Sequence, residues 1–219
     1  MMEKINILYR DEYVLVVYKP AGIRSEGTTE NDLPAILQAQ CGGEIYPVHR
    51  LDRETEGCIV YARTQEAAKR LSAAITRNEM HKEYLAVIAG QPEEDSAVLC
   101  DLLYHDVQKN KSYVVKRERR GVRKAELSYT TLSVNKAEGG TCSLLSVTLH
   151  TGRTHQIRVQ FASRRHPLFG DTRYGSFERE IPLALLARTL SFPHPMRKGE
   201  TVRVTSPVPQ RYPWTLFEI

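Results

Sequence analysis

The sequence predicts an α+β protein with a large mixed, mainly antiparallel sheet and flanking helices. From residue 82 onward, short apolar runs separated by turn signals dominate the chain, as is typical of strands. In the run 141–150, Leu145, Val147 and Leu149 alternate onto one face, as expected of a half-buried antiparallel strand. Helix signals are confined to a few short segments. No internal repeat or linker-like stretch occurs, so we expect a single domain over 1–219.

The first third of the chain predicts a hairpin, two helices and two extended segments. The aliphatic runs 5–9 and 14–18 flank a turn and form the hairpin. A cap residue at 31–32 and Pro34 precede a helix over 35–40. The segments 46–52 and 57–63 are expected to be extended, and Thr64 to cap the second helix.

The rest of the chain predicts mostly strands. Thr154 follows the predicted strand 141–150 and is expected to cap a helix over 155–164. The further predicted strands cover 82–90, 97–105, 111–116, 125–134, 183–192 and 201–206.

Composition excludes several classes of protein. The 219 residues are 41% hydrophobic and 26% charged, with a mean hydropathy of −0.41. These values exclude a disordered or collagen-like chain, and no apolar run is long enough for a membrane span. Charges interrupt every apolar run near the amino terminus before a signal-peptide core could form, so we expect a cytoplasmic protein.

Positive charge is concentrated in two windows. The net charge is +5, from 31 Lys and Arg against 26 Asp and Glu. Residues 105–125 hold eight basic and two acidic residues, and residues 150–179 hold six basic and two acidic residues. The net charge of the two windows together is +10. Such a distribution suits a phosphate-backbone footprint if the fold brings the windows together, whereas 105–125 alone could equally be a solvated surface loop.

The cysteines indicate neither a disulfide framework nor a metal site. Cys41, Cys58, Cys100 and Cys142 form no C-x-x-C pair, and no histidine lies at metal-ligand spacing beside them. We expect buried free thiols and no bound metal.

The segment 46–57, YPVHRLDRETEG, places Arg50 and Asp52 on one face if it is extended. A nearby guanidinium lowers the pKa of a carboxyl, and an ionised carboxylate is suited to act as a nucleophile. The spacing alone favours an ordinary surface Arg–Asp pair at a strand end.

Two further segments carry candidate residues. In 149–159, LHTGRTHQIRV, a glycine turn joins a strand to a helix and presents Arg153, with His155 and Arg158 on the helix. A helix amino terminus with solvent-facing polar residues explains this segment as well. In 80–87, Tyr84 lies within an aliphatic strand, where a tyrosine is commonly a packing residue.

Taken together, six ordered motifs closely resemble the RluA-type family of RNA pseudouridine synthases. The motifs are VVYKPAG, HRLDRETEG, KEYLAVIAG, TGRTHQIRV, HPLFGDTRYG and LARTLSFPHP. The resemblance runs from about Leu15 to about Pro195 and implies the pseudouridine synthase fold. It is closest to the short single-domain members that lack an S4-like module.

The resemblance implies a role for each matching residue. Asp52 matches the catalytic nucleophile, Arg153 the arginine that orients it, and Tyr84 the tyrosine that stacks on the uracil and is implicated in removing the C5 proton. Arg50 matches the arginine that enters the space left by a flipped base. We group His49 and Arg158 with Arg50 as RNA-binding residues.

Three positions depart from the family pattern. Glu56 replaces a usual serine, and Gln160 and Leu186 replace common histidines. A carboxylate four residues from Asp52 would raise the pKa of Asp52 if it pointed inward, so we expect Glu56 to point away from the pocket or to form a salt bridge.

The implied reaction isomerises uridine in a ribosomal or transfer RNA stem-loop and needs no cofactor. We expect a monomer that binds neither DNA nor a membrane. A catalytically silent RNA-binding protein on the same fold is the main alternative. A hydrolytic N-glycosidase using Asp52 and Glu56 is another, and a small-molecule enzyme is disfavoured because no phosphate-binding glycine motif occurs.

Overall fold

The computed structural model describes residues 4–137, 140–178 and 180–219. Its contacts divide the chain into two compact units. Unit 1 comprises Met1–Lys82 and Leu186–Pro207, and unit 2 comprises Glu83–Leu185 and Val208–Ile219. The single domain over 1–219 stays a prediction.

The described residues form strands and three α-helices, and the strands pair mostly antiparallel, which confirms the predicted fold class. In chain order the elements are β1 (Ile7–Arg10), β2 (Val14–Lys19), α1 (Leu33–Cys41), β3 (Tyr46–Pro47), β4 (Glu56–Ala62), α2 (Gln65–Thr76), β5 (His81–Ala89), β6 (Ser96–Asp106), β7 (Lys111–Val115), β8 (Val122–Ala137), β9 (Gly140–Leu149), α3 (Gln156–Ser163), β10 (Leu185–Pro193) and β11 (Thr201–Thr205). None of the helices in these ranges has the length and apolarity needed to span a bilayer.

In unit 1, β2 lies between β1 and β4 and pairs antiparallel with both. β10 pairs in parallel with β4 and antiparallel with β11. The apolar side chains of these strands pack with Ala67 and Leu71 of α2 to form the core of the unit. The Thr64 side chain accepts a hydrogen bond from the Ala67 N–H, which confirms the predicted cap.

In unit 2, the strands pair antiparallel in the order β5, β9, β8, β6 and β7. On β9, Leu145 and Val147 are fully buried and Leu149 is half-buried, as the alternation predicted. The alternation fails earlier in the strand, where the consecutive residues 142–145 are all buried. α3 contacts β6 and β7, and Phe161 of α3 packs edge-on against Tyr129 of β8 at 5.4 Å between ring centroids.

Three predictions about local structure are wrong. Only Tyr46–Pro47 of the expected extended segment 46–52 is a strand, because Leu51 binds the Ser25 side chain instead of a neighbouring strand. Thr154 is not the cap of α3; His155 occupies that position in a left-handed conformation with φ 56°. All four cysteines are free, but only Cys58 and Cys142 are buried, whereas Cys41 is half-buried and Cys100 is exposed.

Gly57, in the HRLDRETEG motif, lies where β4 meets β10. Its φ is +109°, and its partner in the parallel pairing is Ala187. A β-carbon at position 57 would lie 2.3 Å from the carbonyl oxygen of Ala187. Only glycine allows this approach of two backbones.

A Gly57→Ala variant should therefore lose about 3 kcal/mol or more of unfolding free energy in urea. Gly152→Ala is the matched control, because Gly152 has no positive φ and open space around its Cα. A Gly57→Ala protein as stable as this control would contradict the packing argument.

Candidate active site

Asp52 lies in a turn of unit 1 whose backbone is fixed on both sides. The half-buried residue accepts a hydrogen bond from the Thr55 N–H at its carbonyl oxygen, 3.1 Å away. Before it, the buried Ser25 hydroxyl donates to the Leu51 carbonyl at 2.9 Å and accepts from the Leu51 N–H at 3.1 Å. A fixed backbone limits the positions that the Asp52 carboxylate can take.

After Asp52, the turn is held by Lys19, a fully buried lysine at the end of β2. Its ammonium donates to the carbonyl oxygens of Pro20, Ile23 and Arg53, each at 2.8 Å. Burial lowers the pKa of Lys19 to about 8, and the carboxylates of Glu54, Glu56 and Asp52 oppose that shift. At pH 7 the protonated amine therefore supplies three donors to three carbonyls.

A Lys19→Met variant tests this anchor. We expect a loss of about 3 kcal/mol or more in unfolding free energy, because three carbonyl oxygens lose their donor at a buried site. Chemical denaturation measures the loss, and the exposed Lys69→Met on α2 serves as the control. Equal stability of the two variants would show that the ammonium does not hold the turn.

Glu56 is buried at the start of β4 and accepts a hydrogen bond from the Tyr18 hydroxyl at 2.9 Å. Its Cα partner across the parallel pairing is Leu186, so two of the departures from the family pattern are neighbours. The third, Gln160, is buried on α3 and donates to the carboxylate of Asp101 at 2.7 Å. All three residues thus belong to packed parts of the fold.

The two RNA-binding candidates next to Asp52 differ in their surroundings. Arg50 is exposed, and its guanidinium forms an ion pair with the exposed Glu26 at 3.0 Å. The His49 ring accepts a hydrogen bond at Nε2 from the Val60 N–H. Burial lowers the pKa of His49 well below its usual value, and the Lys82 ammonium lowers it further, so the ring is neutral.

Tyr84 lies within β5 of unit 2, opposite Val147 of β9. Its side chain is buried, and the strand continues as a fully buried run through Ala86, Val87 and Ile88. Antiparallel pairing with β9 fixes the backbone of Tyr84 and therefore the face of the sheet on which its side chain lies.

Arg153 is exposed on a loop bound to β8 of unit 2. Its Nε donates to the Lys124 carbonyl at 3.0 Å, and its N–H donates to the Gln156 side-chain oxygen at 3.0 Å. The Thr151 hydroxyl accepts from the Glu126 N–H at 2.8 Å, and the Gln156 amide donates to the Glu126 carbonyl. These bonds fix the loop that carries Arg153.

His155 follows this loop and is buried despite its left-handed backbone. Its Nδ1 lies 3.0 Å from the Tyr174 hydroxyl, which also accepts the Ser112 N–H. The Tyr174 hydroxyl therefore donates to an unprotonated Nδ1. Burial lowers the pKa of His155 to about 3, and the charges of Arg158 and Arg173 lower it further.

This pKa makes the stability of the fold depend on pH. The unfolded chain binds a proton at His155 near pH 6.5, whereas the folded chain does so only near pH 3, so stability is present above pH 6.5 and is lost as the pH falls. Between pH 7 and pH 5 the wild type should lose about 2 kcal/mol more than His155→Asn, since asparagine tolerates the left-handed backbone. Urea unfolding at both pH values measures the difference.

His150→Asn, at an exposed histidine, is the control and should keep the wild-type loss. A His155→Asn protein with the same acid sensitivity as wild type would contradict a buried neutral His155.

Arg158 is buried on α3, where Nε and a terminal nitrogen bind both oxygens of Asp171 at 2.7 and 2.8 Å. Its guanidinium also lies 5.2 Å from the centre of the Tyr174 ring. These contacts link α3 to the loop after Gly170. An RNA contact of Arg158 stays a prediction.

The two basic windows meet within unit 2. Arg153 binds the Lys124 carbonyl, and the Ser112 hydroxyl donates to the Thr154 carbonyl at 2.6 Å. Arg173 donates to the Lys109 carbonyl at 3.2 Å. The fold therefore brings the two windows together, as a common phosphate-binding surface requires. This holds for the described residues, which exclude Arg179 of the second window.

Sequence reasoning missed the residues that hold the site. Ser25 and Lys19 fix the Asp52 turn, and Gln156, Tyr174 and Asp171 fix the segment from Arg153 to Arg158. Lys19, Gln156, Asp171 and Tyr174 do lie within the recognised motifs, and for Lys19 the available signal is a charged residue at the end of an aliphatic run. Among the described residues, no group of three or more His, Cys, Asp or Glu side chains could hold a metal ion.

The chain is similar in sequence and in structure to known pseudouridine synthases. The sequence profile described as RNA pseudouridylate synthase matches residues 13–163. The chain is 33% identical to ribosomal large subunit pseudouridine synthase D of Xanthomonas campestris, over 94% of this chain and 66% of that protein. It is 30% identical to tRNA pseudouridine synthase C of Vibrio parahaemolyticus, over 93% and 90%. The structure of human RNA Pseudouridylate Synthase Domain Containing 1 superimposes with a TM-score of 0.81 at 25% identity, covering 94% of this chain and 84% of that one.

Proposed function

The chain belongs to the RNA pseudouridylate synthase family, and we propose that it converts specific uridines in structured RNA to pseudouridine. The family match carries the proposal, because residues 13–163 contain Asp52, Tyr84 and Arg153. The reaction is an isomerisation, so the enzyme is an isomerase.

Asp52 is the proposed nucleophile, which attacks as the bond between uracil N1 and ribose C1′ breaks. The carboxylate is then bonded to C1′. The detached uracil turns over, C5 bonds to C1′ as the bond from C1′ to Asp52 breaks and frees the carboxylate, the C5 proton leaves and N1 takes up a proton. No atom is gained or lost overall. The contacts of Lys19 with Arg53 and of Ser25 with Leu51 support this role, because they hold the backbone on both sides of the carboxylate.

Arg153 is proposed to orient the Asp52 carboxylate, and Tyr84 to stack on the uracil and take part in removing the C5 proton. The loop contacts of Arg153 support a fixed position for its guanidinium. The near-complete burial of Tyr84 supports a ring shielded from bulk water.

The target base must leave its stack to reach Asp52, which costs a few kcal/mol and least for an unpaired nucleotide. Arg50 is proposed to occupy the space that the base vacates, and an RNA contact of His49 stays a prediction. The exposed position of Arg50 supports this, since a surface ion pair with Glu26 contributes little and is readily exchanged for RNA. The joined basic windows of unit 2 are proposed to hold the RNA backbone.

Ribosomal and transfer RNA are both candidate substrates, since relatives named for each match over nearly the whole chain. We propose a monomer that acts in the cytoplasm without a cofactor, and that binds neither DNA nor a membrane.

Carbodiimide mapping of total RNA from the host, with and without the gene, tests the function. We expect discrete pseudouridines that disappear when the gene is deleted and return with a plasmid copy. An unchanged map would refute the proposal, and a map restored by a copy carrying Asp52→Asn would refute the assigned nucleophile.

A further inference from the structure

The segment 171–178 of unit 2 is pinned at its start and ends in an exposed aromatic ring. The Asp171 carboxylate is fully buried in its pair with Arg158. The N–H groups of Tyr174 and Ser176 both donate to the Asp171 carbonyl, at 3.1 and 3.0 Å. The backbone that leads to Phe177 therefore has a defined position.

This segment is joined to the turn between β6 and β7. One Arg173 nitrogen donates to the carbonyl oxygens of Lys109 and Asn110, both at 3.2 Å. The Ser112 N–H donates to the Tyr174 hydroxyl at 2.7 Å, and the Lys111 ammonium lies 5.3 Å from the centre of the Tyr174 ring. The two segments thus form one surface with several cationic side chains.

Phe177 is 93% exposed. A phenylalanine ring so fully in water on a pinned turn gains almost nothing from burial against the residues that the structure describes, so its aromatic face is open to a ligand. It follows Arg173 by four residues. Lys109 is also open to solvent, with 70% of its side chain exposed.

The neighbouring charges indicate which partner fits. This surface carries three basic residues, Lys109, Lys111 and Arg173. Its acidic residues are Asp106, whose carboxylate lies 3.9 Å from the Lys109 ammonium, and Glu178, which follows Phe177 in the sequence. The balance of charge is positive, and an aromatic ring next to cations is the pattern with which proteins bind unpaired nucleotides: the ring stacks on a base and the cations attract phosphates. A paired duplex offers no open base face to the ring.

We propose that Phe177 stacks on an unpaired base of the RNA substrate while Lys109 and Arg173 attract the phosphates beside it. This inference rests on the proposed function and narrows it, because it requires an unpaired nucleotide in addition to the target uridine. The preferred substrate is then a loop or bulge, and a continuous duplex is a poor ligand.

Fluorescence anisotropy with two labelled RNA probes tests the inference: a hairpin with an unpaired loop, and a blunt duplex of the same stem sequence. Phe177→Ala should weaken binding of the hairpin about tenfold and leave binding of the duplex unchanged. Phe177→Trp should bind the hairpin as tightly as wild type, and Phe177→Leu should be as weak as the alanine variant, because leucine is apolar but cannot stack.

Leu132→Ala, at a residue that is 52% exposed on β8, is the control and should bind both probes as wild type does. Wild-type affinity of Phe177→Ala or Phe177→Leu for the hairpin would overturn the inference. So would a change in sedimentation of Phe177→Ala at unchanged RNA affinity, which would indicate a protein interface.

The assay needs no turnover, so the two proposals fail separately. Wild-type protein that binds the hairpin through Phe177 but forms no pseudouridine would refute the proposed function alone. Wild-type protein that forms pseudouridine while Phe177→Ala binds the hairpin normally would refute the stacking role of Phe177 alone.

Discussion

Replacement of Asp52 by asparagine is expected to abolish pseudouridine formation, with a loss of at least about a thousandfold in rate. An amide has nearly the shape of a carboxylate but is a far weaker nucleophile. The turn should persist, because Thr55 and Lys19 bind backbone oxygens of this turn and Ser25 binds the backbone before it. Release of tritium from C5-labelled uridine in RNA under single-turnover conditions measures the rate.

Glu54→Gln is the matched control, since it removes an exposed carboxylate from the same turn. It should keep activity close to that of wild type. Asp52→Asn protein should also bind substrate RNA and unfold in urea as wild type does. Residual turnover above a few per cent with intact binding would mean that another group is the nucleophile.

Replacement of Arg153 by alanine is expected to lower the rate about a hundredfold or more while the loop keeps its shape. The reason is that a misoriented carboxylate loses the alignment that makes attack efficient. The loop should remain, because the N–H of residue 153 still donates to Gln156 and Thr151 still binds Glu126. Single-turnover rates at saturating RNA separate this effect from weaker binding.

Arg203→Ala, at an exposed arginine on β11, is the control for loss of one positive charge. Arg153→Lys adds a second test, because it keeps the charge but not the planar fork of the guanidinium, and it should recover little of the lost rate. Turnover of Arg153→Ala near the wild-type rate would exclude an orienting role.

The fold was predictable where one local signal decides an element. Thr64 caps α2 because its side chain reaches the Ala67 N–H, a bond within one helical turn. The predictions that failed concern segments whose structure depends on residues far away in the sequence. Residues 48–52 leave the sheet since Leu51 binds Ser25, 26 positions away, and α3 begins after His155 because Tyr174 holds that ring.

The same distinction applies to the candidate site: motifs indicate some of its residues, and other residues are found only from contacts in the structure. Asp52, Arg153 and Tyr84 are indicated by motifs, whereas the three carbonyls that bind Lys19 come from two separate turns and leave no trace in sequence spacing. The need for glycine at position 57 likewise follows from Ala187, 130 residues further along the chain. A resemblance names the reacting groups, and only the three-dimensional contacts show what keeps them in place.

A pseudouridine synthase isomerises uridine without removing the base from the RNA, whereas an N-glycosidase releases uracil. Incubation of purified protein with ribosomal and transfer RNA transcribed in vitro, followed by nuclease digestion and mass spectrometry, distinguishes the two reactions. We expect pseudouridine at discrete sites, RNA of unchanged mass, no free uracil, and no conversion with Asp52→Asn. Free uracil with abasic RNA, or transcripts left entirely as uridine, would contradict the proposed isomerisation.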